Sequence, residues 1–218
     1  MVGRHTAGVT RTHEIPQRAR HEIRKMTVDD CDVIARVQAR AFFDDPLQTW
    51  ALPDASTRLA TLEQIFALLS RYSSVPAGES YTDATRSCAA FWVPPGGFVP
   101  DREAAAAMAP IVDLLGDANA RFRAAEDAMR AHRPADVHFY LQGLGTDPPR
   151  QGEGLGSAVL QPVLVRCDRD GLPAYLETTK ERNVGFYESH GFAVVGRMRI
   201  PLDGPPMWFM WRAPRQDA

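Results

Sequence analysis

Apolar residues recur along this chain at two different spacings, which separate predicted helices from predicted strands. In the helical parts they return every three or four residues, as Leu59, Leu62, Phe66 and Leu69 do. A first helix is expected to begin after Thr27, a capping residue, and to end before Pro46. Further helices are predicted at 56–72, 101–131, 154–170 and 183–190. Short apolar runs predict strands at 21–26, 79–84, 88–93, 137–144, 172–178, 192–197 and 207–211.

Strands and helices alternate in the last third of the chain, which predicts an α/β sheet with at least one parallel crossover. Pro110 or Gly116 should break the helix at 101–131, and Pro162 should bend the helix at 154–170. Residues 1–20 show no apolar periodicity and are expected to form a flexible tail. The rest, 21–215, is predicted to be a single domain.

Composition and charge exclude several classes of protein. The formal net charge of -2 gives no general electrostatic basis for binding nucleic acid. No apolar stretch approaches the roughly 20 residues of a membrane span, and no apolar run follows the basic N-terminal residues as in a secretory signal. Cys31, Cys88 and Cys167 are far apart, so neither a disulfide framework nor a metal site is expected. A reducing, cytoplasmic location fits this cysteine usage, and a homodimer is left open.

The segment 144–156 joins a predicted strand to a predicted helix and carries glycines at positions 152, 154 and 156. Glycines let the backbone turn sharply there, and the following helix begins with free N–H groups and a positive dipole end, which suits phosphate. A Walker loop would need a Gly-Lys-Ser/Thr ending, and a dinucleotide loop would need its third glycine one place later. The remaining pattern is Gln-x-x-Gly-x-Gly, formed by Gln151, Gly154 and Gly156.

This pattern resembles the loop that binds the pyrophosphate of coenzyme A in the GCN5-related N-acetyltransferase (GNAT) family. The segment 183–192, Asn-Val-Gly-Phe-Tyr-Glu-Ser-His-Gly-Phe, is similar to the second half of the same signature, at the expected separation. The resemblance implies an α/β fold with a mixed central sheet of about seven strands, a splayed parallel pair and helices on both faces. It also implies acetyl-CoA as co-substrate, bound within a core at about 137–198.

The stretch from Ala131 to Trp211 is similar to puromycin N-acetyltransferase-like proteins within that family, and the N-terminal half only loosely so. This resemblance implies transfer of an acetyl group to a primary amine of a small molecule, for example an aminonucleoside antibiotic such as puromycin, and hence antibiotic resistance. Two alternatives stay open. One is acetylation of a protein or peptide, and the other is a coenzyme A-binding sensor module without catalysis.

The resemblance also implies roles for individual residues. The pyrophosphate would be held by the Ser157 hydroxyl and by the backbone of Gln151, Gly152, Glu153, Gly154, Leu155 and Gly156. The strand edge at Leu144, Gly145 and Thr146 would pair with the pantetheine arm. Asn183 is expected to cap its helix and, with Phe186, to contact the coenzyme. Arg150 is either a further phosphate ligand or a solvated loop residue.

For the chemistry, the resemblance implies that Tyr187 is the general acid, whose phenol protonates the departing thiolate. Glu177, near the end of a predicted strand, is the first choice of general base. His138 is a second choice, and loss of the amine proton to water is a third. Asp44 and Asp45 are expected either to attract a cationic amine or to be solvated.

Overall fold

The computed structural model describes residues 21–215, which form one seven-stranded mixed sheet with helices on both faces. The strands are β1 (Ile23–Lys25), β2 (Tyr81–Asp83), β3 (Cys88–Val93), β4 (Phe139–Thr146), β5 (Ala174–Thr178), β6 (Ala193–Arg199) and β7 (Pro206–Arg212). Their order across the sheet is β1-β2-β3-β4-β5-β7-β6. The predicted fold class is therefore confirmed.

The helices are α1 (Cys31–Phe42), α2 (Pro46–Ala51), α3 (Ala55–Leu69), α4 (Arg102–Met108), α5 (Pro110–Leu115), α6 (Asn119–His132), α7 (Leu155–Asp170) and α8 (Val184–Glu188). A five-residue π-helical turn, Ser70–Ser74, extends α3. The helix predicted at 101–131 is broken at both Pro110 and Gly116, whereas α7 continues through Pro162. In this described part of the chain, no helix is both long enough and apolar enough to cross a membrane.

Two local differences from the sequence prediction have physical reasons. Pro46 does more than end the first helix, because it occupies the first turn of α2, where a missing N–H costs nothing. The carboxylate of Asp45 caps that helix by accepting a hydrogen bond from the Leu47 amide at 2.9 Å. Strand β4 begins at Phe139 rather than at position 137, because Arg133 to His138 connect α6 to the sheet without pairing.

The only parallel pair among the described strands, β4 with β5, is joined over three residue pairs, from Phe139 opposite Ala174 to Leu141 opposite Leu176. Beyond that point β4 pairs only with β3, and β5 pairs only with β7. A β-bulge lies at the same place, since Phe91 pairs with Gly143 and Trp92 with Leu141, leaving Gln142 without an opposite residue. Such a bulge bends a strand and increases its twist. The two strands therefore diverge just after Leu141.

The two faces of the sheet carry separate cores. On one face, Leu141 and Leu176 pack with α7 and α8 in the largest buried cluster, which includes Tyr187. On the other face, Tyr175 and Phe209 pack against α6 and α2, and Phe91 packs against α1. Because side chains alternate along a strand, Glu177 lies on the second face with Tyr175. The gap between β4 and β5 thus has Tyr187 on one side of the sheet and Glu177 on the other.

Candidate functional site

A cavity of about 880 Å³ is lined by the diverging parts of β4 and β5. It extends from the glycine loop that precedes α7 to side chains of α2, α3 and α6 on the second face of the sheet. Among the predicted site residues, the following line it: Leu144, Gly145, Thr146, Gln151, Gly152, Gly154, Leu155, Gly156, Ser157, Glu177, Asn183, Phe186 and Tyr187. Glu153 is the one predicted coenzyme-binding residue that does not line the cavity.

The glycine loop has the backbone geometry that its sequence predicts. Gly152 and Gly154 adopt positive φ angles of 84° and 86°, a conformation that side-chain-bearing residues rarely adopt. Gly154 is the N-cap of α7, and the first α-helical hydrogen bond runs from the Ala158 amide to its carbonyl at 3.0 Å. The amides of the first turn of α7 therefore have no intrahelical acceptor, and they form the positive end of the helix dipole. This arrangement suits an anionic ligand.

Side-chain contacts hold that loop in place. The Arg40 guanidinium of α1 forms two hydrogen bonds of 2.8 Å with the Asp147 carboxylate. Gln151 donates from Nε2 to the Thr146 carbonyl at 3.2 Å. Arg150 is paired with Glu153 at 2.8 Å, so its guanidinium already has a carboxylate partner. Glu153 does not line the cavity and its side chain is engaged in this pair, while its backbone carbonyl contacts the His21 ring at 2.9 Å, which leaves its backbone N–H for the role that the sequence predicted.

The β4 edge beyond the bulge is shaped by a glycine. A side chain at Gly145 would place its Cβ 3.0 Å from Ala41 Cβ and 2.9 Å from Gln38 Cδ, both on α1. The absent side chain lets α1 pack directly on β4. The edge of β4 that faces β5 is left without a strand partner from Gln142 to Thr146. An extended ligand could add to this edge as a strand does.

Asn183 differs from its predicted role in one respect. It occupies the N-cap position of α8, but its backbone is helical, with φ -84° and ψ -15°, and its side chain makes no capping hydrogen bond. The predicted helix cap is therefore wrong. The reason is that a 3₁₀ turn, Glu181–Asn183, precedes α8 and places Asn183 inside continuous helical backbone.

Tyr187 is buried between Phe186 and Phe192, with ring centroids 5.2 Å and 6.0 Å away, and borders the cavity. Burial raises the pKa of its phenol, and the negative charge of Asp45 raises that pKa further. The phenol is therefore fully protonated at neutral pH. The Cys88 thiol lies close enough to add to the effect, and burial raises its own pKa to about 12.

Glu177 lies at the opposite side of the cavity, with its side chain only 4% exposed. Burial raises the pKa of its carboxyl, while the Tyr140 and Tyr175 hydroxyls and the Arg133 guanidinium partly offset that rise. Arg133 lies 3.8 Å from Glu177 Oε1, and that oxygen and the Tyr175 hydroxyl are both buried without a hydrogen-bond partner in the described chain. Unpartnered buried polar atoms beside a cavity are available to a ligand.

Of the remaining candidate residues, Asp45 lines the cavity, whereas Asp44 and His138 do not. Asp44 is engaged by Lys180 at 2.7 Å, outside the cavity lining. Asp45 does line the cavity, and it accepts a hydrogen bond from Thr179 at 2.9 Å. His138 does not line it, since its ring packs against Tyr175 and Trp211. Across residues 21–215, no three His, Cys, Asp or Glu side chains converge as metal ligands.

Sequence reasoning missed the side chains that complete the second half of the cavity. Tyr140, the bulge residue Gln142 and Arg133 of the α6–β4 connection line it, together with Ser73 and Ser74 of the π-helical turn. No motif marks these positions, because they meet only when α3, α6 and β4 pack together. The one available signal was Arg133, which belongs to the matched stretch beginning at Ala131.

Comparison with known proteins places this geometry in a family. Residues 63–192 match the model of the acetyltransferase (GNAT) family, which covers the sheet from β2 to β5 and both signature segments. The chain belongs to the GNAT family. Members of this family use acetyl-CoA, which fits the glycine loop and the open β4 edge described above.

Two relatives define how far this similarity extends. The solved structure described as histone acetyltransferase HPA2 and related acetyltransferase, from Corynebacterium glutamicum, is 26% identical, with a TM-score of 0.68 over 91% of this chain and 99% of that one. An uncharacterized N-acetyltransferase of Schizosaccharomyces pombe is 31% identical over 85 residues, which cover 38% of this chain and 34% of that protein. The match thus spans about a third of the length of that curated relative.

A third relative shares the fold at lower identity. It is a polyamine N-acetyltransferase of Drosophila melanogaster, described as catalysing the formation of N-acetylagmatine. It is 17% identical, with a TM-score of 0.52 over 88% of this chain and 98% of that one.

Proposed function

We propose that this GNAT protein is an acetyl-CoA-dependent N-acetyltransferase that acts on a primary amine of a small molecule. One observation carries the proposal. The divergence of β4 and β5 after Leu141 opens a cavity with a phosphate-suited loop at one end and the buried Glu177 carboxyl at the other. A thioester placed in this gap would have Tyr187 on one side of the sheet and Glu177 on the other.

The reaction follows from these positions. Glu177 accepts a proton from the acceptor ammonium, directly or through water, and leaves a neutral amine. The amine nitrogen attacks the thioester carbonyl, so that a C–N bond forms and the C–S bond then breaks. The departing sulfur takes the proton of the Tyr187 hydroxyl. The bound nitrogen loses its second proton to water as the C–S bond breaks, so the products are the acetylated amine and free coenzyme A. Tyr187 then regains a proton from solvent and Glu177 releases one to it.

The raised pKa of Tyr187 is compatible with this role. A phenol with a higher pKa is a weaker acid, but the same desolvation acts on the leaving thiolate. Cys88 illustrates the direction of that effect, since burial raises its thiol pKa to about 12. A desolvated thiolate is a stronger base than a solvated one, so a neutral phenol next to it can donate a proton.

The enclosure of the acceptor end favours a small molecule over a protein chain. Glu177 is nearly fully buried below α2 and α6, so an amine must enter the cavity to reach it. An aminonucleoside such as puromycin, whose reactive group is a single primary amine beside an aromatic ring, is the substrate we propose to test first. Acetyl-CoA supply and three free, buried cysteines support a cytoplasmic location.

The Tyr187→Phe variant tests the proposal. We expect kcat with puromycin or another acetylated amine to fall by about 10²-fold or more, because general acid catalysis is worth that much. Binding of acetyl-CoA, measured by calorimetry, should stay unchanged. A wild-type protein that binds acetyl-CoA but acetylates no small amine would refute the proposal, and acetylation of peptides alone would replace small molecules by a protein substrate.

A further inference from the structure

The acceptor end of the cavity is laid out in a row across the second face of the sheet. Val93 is paired with Tyr140, and Tyr140 with Tyr175, so their side chains share one face. Glu177 follows Tyr175 by two residues on that face. Since neighbouring strands lie about 4.8 Å apart, the row extends roughly 10 Å from β3 to β5. Its two ends have opposite chemical character.

The β3 end is apolar and aromatic. We call it the aromatic lobe, and it is lined by Phe42, Phe66, Leu69, Phe91, Val93 and Phe98. The rings of Phe42 and Phe66 lie 5.4 Å apart. The polar groups beside this lobe are Ser73 and Ser74 of the π-helical turn, and the Ser74 hydroxyl is buried without a partner. π-helical turns occur often at functional sites.

The β5 end already contains a cation. The Arg133 guanidinium lies 4.1 Å from the centre of the Tyr140 ring and 3.8 Å from Glu177 Oε1. The other two carboxylates that line the cavity are also engaged. Glu126 pairs with Arg130 at 2.8 Å, and Asp45 accepts hydrogen bonds from Thr179 and the Leu47 amide. Within residues 21–215, each carboxylate that lines the cavity therefore already has a charged or hydrogen-bonding partner, and the Glu126–Arg130 pair is the most exposed of them.

We infer that the acceptor is a monoamine with an aromatic or bulky apolar body, and that Arg133 excludes amines with a second positive charge. This inference rests on the proposed function and names its substrate class. The reacting amine would reach Glu177, and the apolar body would fill the aromatic lobe. A diamine would bring its distal cation either against the Arg133 guanidinium, which repels it, or into the aromatic lobe, where contact with the rings only partly offsets its loss of hydration. Puromycin belongs to the favoured class, and agmatine and putrescine do not.

The test compares initial rates for phenethylamine, puromycin, putrescine and agmatine with the wild-type protein and Arg133→Gln. We expect the wild type to prefer phenethylamine over putrescine by about tenfold or more in kcat/KM. Arg133→Gln should reduce that preference about tenfold, through a lower KM for the diamines. Arg123→Gln is the matched control. Arg123 is exposed on α6, and its substitution removes the same charge as Arg133→Gln does. This control should leave the preference unchanged.

A second variant tests the aromatic lobe without touching the charges. Phe98→Ala should raise the KM for phenethylamine about tenfold and leave the KM for propylamine, which is too short to reach the lobe, unchanged. Putrescine or agmatine acetylated as well as phenethylamine by the wild type would overturn the inference but leave the proposed function standing. Equal losses of kcat for all amines in Arg133→Gln would likewise overturn it, since Arg133 would then act on the chemistry. Acetyl-CoA binding without acetylation of any amine would overturn both.

Discussion

At the scale of single residues, the proposed chemistry depends on two ionisable groups whose pKa values are shifted by burial. Burial raises the pKa of the Glu177 carboxyl above the usual value for a glutamate. Tyr187 stays protonated, because burial and Asp45 both raise its pKa. The proposed mechanism requires Glu177 to be ionised as the base and Tyr187 to be protonated as the acid.

The Glu177→Gln variant tests whether the Glu177 carboxylate is the general base. Only the ionised carboxylate accepts a proton, so the wild-type kcat/KM should rise with pH through a pKa above that of an ordinary glutamate. The glutamine variant should lose about 10²-fold in kcat/KM and lose that acidic limb. The measurement is a pH–rate profile at saturating acetyl-CoA, with Glu126→Gln as a control that also lines the cavity. An unchanged acidic limb in the Glu177 variant would assign the base to water or to another group.

The sequence allowed part of this site to be predicted. Gly152, Gly154 and Tyr187 belong to contiguous motifs, so their positions follow from local spacing. Arg133, Tyr140 and Ser74 come from three separate elements and meet only through tertiary packing. Asn183 was assigned a helix cap from its residue type, and the preceding 3₁₀ turn removed the backbone geometry that such a cap needs.

At the scale of elements, α1 is fixed to the sheet at both of its ends. Near its N-terminus, Asp30 accepts hydrogen bonds from Arg24 of β1 at 2.7 Å and from the Thr27 amide at 2.8 Å. Near its C-terminus, Gln38 donates to the Ala89 carbonyl at 3.1 Å and packs against Gly145. These contacts hold the helix that anchors the glycine loop through Arg40.

Gly145→Ala should destabilise the protein by about 1–3 kcal/mol, because the new methyl group meets a buried, hydrogen-bonded Gln38 that has no free space to move into. Urea unfolding measures this change. Gly143→Ala, two residues earlier in β4, places its Cβ at an ordinary 3.5 Å from Phe91 and should cost much less. Equal stability of the two variants would contradict the tight packing of α1 on β4.

Asp30→Asn should lower stability in a pH-dependent way. The Arg24 guanidinium holds the pKa of the Asp30 carboxyl at about 2, below its usual 3.8. The stabilisation is therefore complete above pH 3.8 and is lost as the pH falls towards 2. Because Arg24 is 41% exposed, we expect only about 1–2 kcal/mol at pH 7. Urea titrations at several pH values measure it, with the exposed neighbour Asp29→Asn as the control variant.

The number and order of most elements were predictable from periodicity, since seven apolar runs gave seven strands. The bulge at Gln142 and the π-helical turn at 70–74 were not predictable from the sequence. Each adds a residue to a regular pattern without a marker residue such as proline or glycine at its centre, so only packing partners determine where it occurs.

At the scale of the whole molecule, bound coenzyme is expected to raise the free energy of unfolding. At a concentration of about 100 times its Kd, acetyl-CoA should stabilise the protein by about 2.7 kcal/mol. For a domain of this size that corresponds to a rise in Tm of about 5–10 °C, which differential scanning fluorimetry can measure. Tyr187→Phe should keep the full shift. Gly154→Ala should lose most of it, because its positive φ is strained for alanine.

The divergence of β4 and β5 has a consequence for the life of the protein in the cell. Most sheets expose hydrogen-bonding strand edges only at their margins, whereas here two such edges lie open in the middle of the molecule. Open edges are templates for pairing with other chains and lead to aggregation. A newly made chain is therefore at its most vulnerable before its first coenzyme arrives. We expect the soluble fraction of the expressed protein to increase with the concentration of coenzyme A, because bound coenzyme would cover these strand edges and reduce aggregation.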